Sequence, residues 1–212
     1  MFGCDPGSDA PTGGWDARAG FATEGEAARA RREEDALACD ALGATPVWLP
    51  YGSVDYERHG DEAEIRARVA EATVGADRVL LPGAPLTHPD HAWLVRALLA
   101  SDLECGRLGL YAEQPYTWRS VRVGAPDWLA AALAAPLDFE RLRVGTRAWL
   151  AKRRAVFRYR SQLPLLALSG RAPLRVERLL LAEARAGGEA VAWLPAAASH
   201  RFQQTLPYPD AR

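Results

Sequence analysis

Short apolar runs that alternate with amphipathic helical segments constrain this chain more than any other feature of its sequence. Residues 22–42 have the 3.6-residue period of a helix. Ala27, Ala30, Leu37, Ala38, Ala41 and Leu42 form its apolar side, and the charged run from Arg29 to Asp35 lies on the outer side. Thr23 followed by Glu26 is a capping-box signature at its start, and Gly43 is a stop. The run PVWLP at 46–50 reads as a short buried strand. The alternation then repeats. Residues 61–73 are helical, with Ile65, Val69 and Ala72 on one side, and 78–81 (RVLL) is a strand that ends at Pro82-Gly83. A loop over 82–87 leads to a helix over 89–100, with Pro89 in its first turn and Leu94, Val95 and Leu98 facing inward. Residues 107–111 (RLGLY) are the next strand. This order predicts an α/β fold with a mostly parallel sheet flanked by helices, in which ligands sit beyond the carboxyl ends of the strands.

The second half of the chain alternates less regularly. Residues 125–135, 147–150, 153–163 and 176–186 read as helical, the third ending before Pro164 and the last at Gly187-Gly188. Residues 191–194 read as a final edge strand, and the tail from Ala196 as loosely held. Residues 3–15 are rich in Gly, Pro, Asp and Ser and predict a loop. No repeat and no long linker divides the chain, so it reads as a single domain over residues 1–212.

Charge and composition exclude several function classes. A formal net charge of −1 gives no bulk attraction to nucleic acid and no polybasic membrane anchor. No apolar run is long enough to span a bilayer, and residues 1–14 lack the basic and apolar regions of a signal peptide. Cys4, Cys39 and Cys105 are odd in number and far apart, which is neither a disulfide framework nor a zinc-ribbon spacing. Lys152 is the only lysine and arginine carries nearly all the positive charge, a bias expected of a GC-rich bacterial genome. The expected setting is the cytoplasm, with reduced thiols.

The strongest site signal is His88-Pro89-Asp90-His91, where a loop leaves a strand and a helix begins. Two imidazoles and a carboxylate within one turn can converge on a metal or on a substrate oxygen, and a carboxylate can orient an imidazole through its second nitrogen. The same residues also suit a bland role, with Asp90 favoured by the helix dipole and the histidines in solvent. Trp15, Trp48, Glu113 and Tyr116 could contact a ligand or simply pack. Arg29, Arg31 and Arg32 read as a solvated helix face, and His59 and His200 lie in polar loops without a role.

Four segments together resemble the LmbE/PIG-L family of zinc-dependent N-deacetylases. These are ARARREEDALACDAL at 28–42 followed by Gly43, the HPDH motif, LYAEQPY at 110–116, and KRRAVFRYRSQL at 152–163 with its K-x-x-A-x-x-x-Y-x-S-Q spacing. They occur in the family's order. The resemblance implies a Rossmann-like α/β fold and metal-assisted hydrolysis that removes an N-acetyl or other acyl group from a small-molecule amino-sugar conjugate. N-acetylglucosaminyl compounds are the typical substrates. It implies that His91 is a zinc ligand, that His88 polarises or protonates the tetrahedral intermediate, and that Asp90 supports a histidine. It implies no nucleic-acid or membrane partner and leaves homo-oligomerisation open.

The family's first motif, H-P-D-D, which supplies two zinc ligands and the catalytic base, has no counterpart in these residues. Met1-Phe2-Gly3 is similar to the end of the family's second strand, so the first β-α unit of the fold is expected to be missing from the sequence as written. Three alternatives stand. The protein starts further upstream; or it is a degenerate homologue that binds without turnover; or Cys4, Asp5, Asp9 or Asp16 supplies substitute ligands.

Overall fold

A computed structural model describes residues 5–52, 61–101, 103–114, 116, 126–133, 136–166 and 172–195. Cys4, His59, His200, the Met1-Phe2-Gly3 segment and the tail from Ala196 lie outside the described residues. The chain divides into two compact units, each assembled from two separate stretches of sequence: Met1–Gly60 with Arg143–Gly188, and Asp61–Leu142 with Glu189–Arg212.

Helices make up the first unit: α1 (Gly14–Arg18), α2 (Glu24–Leu42), α6 (Thr146–Val156), α7 (Leu163–Leu166) and α8 (Ala172–Arg185). The expected start and stop of α2 are both present. Thr23 Oγ1 accepts the Glu26 N–H at 3.2 Å, and the Glu26 carboxylate accepts the Ala22 N–H at 2.9 Å. Gly43 ends the helix at φ 68°, a left-handed conformation that glycine adopts without steric cost.

The buried side of α2 differs from the expected one. Ala27, Ala28, Asp35 and Ala38 are buried, whereas Leu37 and Leu42 are 50% and 53% exposed. Leu37 stands two residues, about 200°, round the helix from Asp35, and Leu42 lies in the last turn. The small alanines let α6 pack against α2. Part of the charged run therefore turns inward rather than into solvent. Asp35 accepts from Trp48 Nε1 at 3.3 Å, Arg31 pairs with buried Asp16, and Glu34 takes both the N–H and the hydroxyl of Ser161 at 2.7 and 2.8 Å.

Two expected elements of this unit are corrected. Among the described residues the run at 46–50 forms no strand of the sheet beyond a single bridge position at Leu49, and Val47 and Trp48 are exposed rather than buried. Pro46 and Pro50 lack the N–H that a ladder needs, and the Trp48 indole bonds Asp35 instead. The helix expected over 153–163 breaks after Val156 and resumes only at Leu163. Lys152 and Ala155 lie on α6, while Tyr159, Ser161 and Gln162 lie in the turn that follows. Each of those three is held by a partner far away in sequence: Tyr159 by Asp35, Ser161 by Glu34, and Gln162 Oε1 by Trp15 Nε1 at 2.7 Å. The Lys152 ammonium pairs with buried Glu183 of α8 at 2.6 Å.

The second unit contains α3 (Glu62–Thr73), β1 (Ala76–Ala84), α4 (Pro89–Leu99), β2 (Cys105–Ala112), α5 (Asp127–Leu133), β3 (Glu140–Leu142) and β4 (Glu189–Trp193). Its four-stranded sheet has the order β1-β2-β4-β3. β1 and β2 are parallel and joined through α4, as a parallel pair requires. β4 runs antiparallel to β2, and β3 antiparallel to β4. Among the described strands the sheet is thus mixed rather than mostly parallel, and β4 lies inside it rather than at its edge. β3 is three residues long and carries no apolar run, which hides it from a hydrophobicity pattern.

One face of the sheet builds the core of this unit. Val79, Leu81 and Leu110 meet Val95, Leu98 and Leu99 of α4, with Leu129 and Leu133 of α5 and Leu194. Val95 and Leu98 face inward as expected, and Leu94 is partly buried against the same cluster. Gly83 lets β1 and β2 come close: a Cβ there would lie 2.6 Å from the Leu110 Cβ.

Candidate functional site

The site forms at the carboxyl end of β1, within the second unit. The strand stops at Ala84, and four residues later His88 caps the N-terminus of α4, its Nδ1 accepting the Asp90 N–H at 3.2 Å. Pro89 fits the first helical position because it has no N–H to satisfy. His91 follows three residues later, close to one helical turn, which brings the two imidazole rings to a centroid separation of 5.0 Å with a 36° tilt. Both histidines are partly exposed, so either ring is within reach of a ligand.

Glu113, just past the end of β2, lies beneath them and is 2% exposed. Its Oε2 is paired with His91 Nδ1, and its Oε1 accepts the Leu86 N–H at 3.1 Å. Its own N–H donates to the Ala84 carbonyl at 2.7 Å. Leu86 has φ 56°, a left-handed conformation uncommon for a residue with a branched side chain. Its bond to Glu113 holds the loop in that conformation. Tyr116 approaches the His91 ring edge-on at 6.3 Å, and its phenol is pushed up from the ordinary value by burial and then by the nearby Glu113 carboxylate.

His88 and His91 are thus brought together as the sequence suggested. Asp90 is buried, at 8% exposure, but its carboxylate stands 3.9 Å from His88 Nδ1, beyond hydrogen-bond length. Contact between those two residues runs through the Asp90 main chain. His88 therefore uses Nδ1 as an acceptor, which in a neutral ring leaves the proton on Nε2.

Glu113 is the residue whose role the sequence did not disclose. The only cue was a polar residue after an apolar strand, 22 positions from its partner.

Asp5, Trp15, Asp16 and Trp48 lie in the first unit and have structural partners. Asp16 is committed to Arg31, Trp15 donates to Gln162 and Trp48 to Asp35. Asp5 Oδ1 accepts the Gly7 N–H at 2.8 Å. Cys39 and Cys105 are free thiols, each half-buried.

As a metal site the described residues fit one ligand position. His91 has its Nδ1 occupied by a buried carboxylate, the arrangement that orients metal-binding histidines. Among the described residues no group of three His, Cys, Asp or Glu side chains converges to complete a ligand set.

No protein-family model matches the chain, and no curated protein does. Two solved structures match it. One is a deacetylase triple mutant (Orf2*T) involved in the teicoplanin biosynthetic pathway, with TM-score 0.67 and 21% identity over 91% of this chain and 83% of that one. The other is the zinc-inhibited form of teicoplanin deacetylase Orf2, with TM-score 0.62 and 20% identity over 92% of this chain and 85% of that one. The chain is therefore similar in fold to a deacetylase, with a mixed α/β architecture and a four-stranded sheet flanked by helices.

Proposed function

We propose that this protein is an amide hydrolase that removes an acyl group, acetyl in the first instance, from the amino group of an amino-sugar conjugate. The observation that carries this reading is the His88–His91 pair at the carboxyl end of β1, backed by buried Glu113, in a chain whose fold is similar to that of a deacetylase. In α/β proteins that end of the strands is where ligands bind. The arginine-rich composition and the free thiols Cys39 and Cys105 fit a bacterial cytoplasmic setting.

In this reading His88 donates Nε2–H to the acyl oxygen. Its Nδ1 already accepts the Asp90 N–H, which leaves Nε2 as the ring's hydrogen-bond donor. Such a donor stabilises negative charge as the carbonyl carbon becomes tetrahedral, and a comparable donor is worth about 10²–10³ in kcat. Asp90 supplies the main-chain contact that sets the His88 ring. His91 would be the residue to hold a zinc ion, which when bound would polarise an acyl oxygen and lower the pKa of a coordinated water. Among the described residues no group of three His, Cys, Asp or Glu side chains completes a metal site with it.

The resulting incomplete ligand set favours one second reading, a homologue that binds an amino-sugar conjugate without turnover. Acetate release from N-acetylglucosaminyl conjugates, assayed with and without added zinc, separates the two. Hydrolysis that is lost in His88→Ala and His91→Ala supports the enzyme. Binding of the conjugate without acetate release supports the second reading.

A further inference from the structure

The net charge of −1 averages over a chain whose charge is sharply divided. Residues 143–178, all in the first unit, hold nine arginines and Lys152 against a single acid, Glu177. Part of that charge is neutralised inside the unit. On α6, Lys152 pairs with Glu183 and Arg153 with Glu177, both on α8, and the Trp149 indole donates to the Leu180 carbonyl. Ala155 is buried, and the helix packs on α2.

The remaining side of α6 carries Arg147, Leu150 and Arg154, which at i, i+3 and i+7 share a sector of about 60°. Both arginines are exposed, and Leu150 is 38% exposed. Arg143 and Val144 are exposed just before the helix, and Arg158 and Arg160 follow in the turn after it. Arg143, Arg147, Arg154, Arg158 and Arg160 have no ion pair and no guanidinium hydrogen bond among the described residues. Within the molecule these five charges only repel one another. No acidic residue stands in the first turn of α6, so the positive end of its dipole adds to the same potential.

We propose that this face of α6 docks the protein on an anionic phospholipid surface. Its charge is complementary to headgroup phosphates, which a guanidinium can bond through two N–H groups at once. Leu150 and Val144 supply the aliphatic part that enters the acyl boundary of a bilayer. An aliphatic residue between the arginines favours lipid over nucleic acid, whose bases stack on aromatic platforms. Trp149, the aromatic side chain of α6, is turned to α8 instead. The chain-wide charge, from which no membrane partner is expected, averages this face away. The proposal is independent of the hydrolase reading.

The experiment is sedimentation of the full chain with vesicles of phosphatidylcholine containing about one-third phosphatidylserine, and with phosphatidylcholine alone. Binding to the charged vesicles is expected at about 0.1 M NaCl, and its loss at about 1 M, where the Debye length falls to about 3 Å. Each basic residue near such a surface changes binding by about fivefold, so Arg147→Gln with Arg154→Gln should weaken it about 25-fold. Leu150→Gln should weaken it by about three- to tenfold, because only its exposed part leaves water. Arg66→Gln with Arg68→Gln removes the same charge from α3, where both arginines have acidic partners, and should bind as the wild type does. A wild type that ignores charged vesicles, or binds uncharged ones equally, overturns the proposal whether or not the variants fold. Equal losses in the folded α3 and α6 variants overturn it in favour of bulk charge. Tighter binding to a DNA duplex than to the charged vesicles overturns it in favour of nucleic acid.

Discussion

His88 carries two roles that substitution can separate. Its ring caps α4 by accepting the Asp90 N–H, and the proposed reaction draws on its Nε2. Asparagine caps helices at least as well as histidine but has no imidazole. His88→Ala should therefore lower stability by about 0.5–2 kcal/mol, whereas His88→Asn should melt close to the wild type. Acetate release should be lost in both. Thermal melts and the assay together check this, and retained activity in His88→Asn would remove the ring from the chemistry. Tyr111 makes a second prediction at this scale. Its phenol is pushed up to about 12, by burial first and then by Glu113 and Glu189. A folded-state value above the unfolded one favours the neutral phenol. Its contribution to stability is full below pH about 10, the unfolded value, and is lost as the pH rises toward 12. Tyr111→Phe should flatten the alkaline loss of stability in that window, measured by denaturant melts. At the residue scale the sequence exposed what lay within one turn, namely His88, Asp90 and His91. It offered Glu113 as a candidate but not its partner, because the pairing depends on how β1 and β2 align, and that register is a tertiary fact.

Among elements, the helices were legible wherever their apolar period and caps agreed, as in α2 and α4. They were misread where tertiary bonds override the local pattern. The break after Val156 is the clearest case. Residues 157–162 have the composition of a helix, but Tyr159, Ser161 and Gln162 each bond to α1 or α2. The K-x-x-A-x-x-x-Y-x-S-Q segment consequently works as a clamp within the first unit. Lys152 with buried Glu183 is its α6–α8 link. Lys152→Met alone should destabilise by about 1–3 kcal/mol, because it leaves Glu183 buried without its cation. Lys152→Met with Glu183→Leu should recover most of that loss, since a desolvated pair contributes little over an apolar one. Chemical denaturation of the two single variants and the double variant measures the coupling. In the second unit, Gly83→Ala should cost about 1–3 kcal/mol, through the forced approach of a methyl to the Leu110 Cβ. A Gly83→Ala variant as stable as the wild type would show that β1 and β2 can separate without penalty.

For the whole molecule, the α/β character was legible because helices and apolar strands alternate through residues 61–112. Strand direction was not. β3 is too short and polar to announce itself, and β4 joins the sheet from 47 residues further along the chain than β3, antiparallel to both neighbours. The two units are likewise each built from distant stretches, which no local pattern reveals. What the fold does with this arrangement is bring the end of β1, the start of α4 and the end of β2 to one place, so that three side chains spread over 26 residues form one site. The central claim is the proposed one, that the His88–His91 pair backed by buried Glu113 is the working centre of that site. Its most direct test is acetate release from an N-acetylglucosaminyl conjugate, comparing wild type with His88→Ala and His91→Ala. Release by the wild type and its loss in both folded variants are expected. Equal release by the three proteins, or none by the wild type, would contradict it.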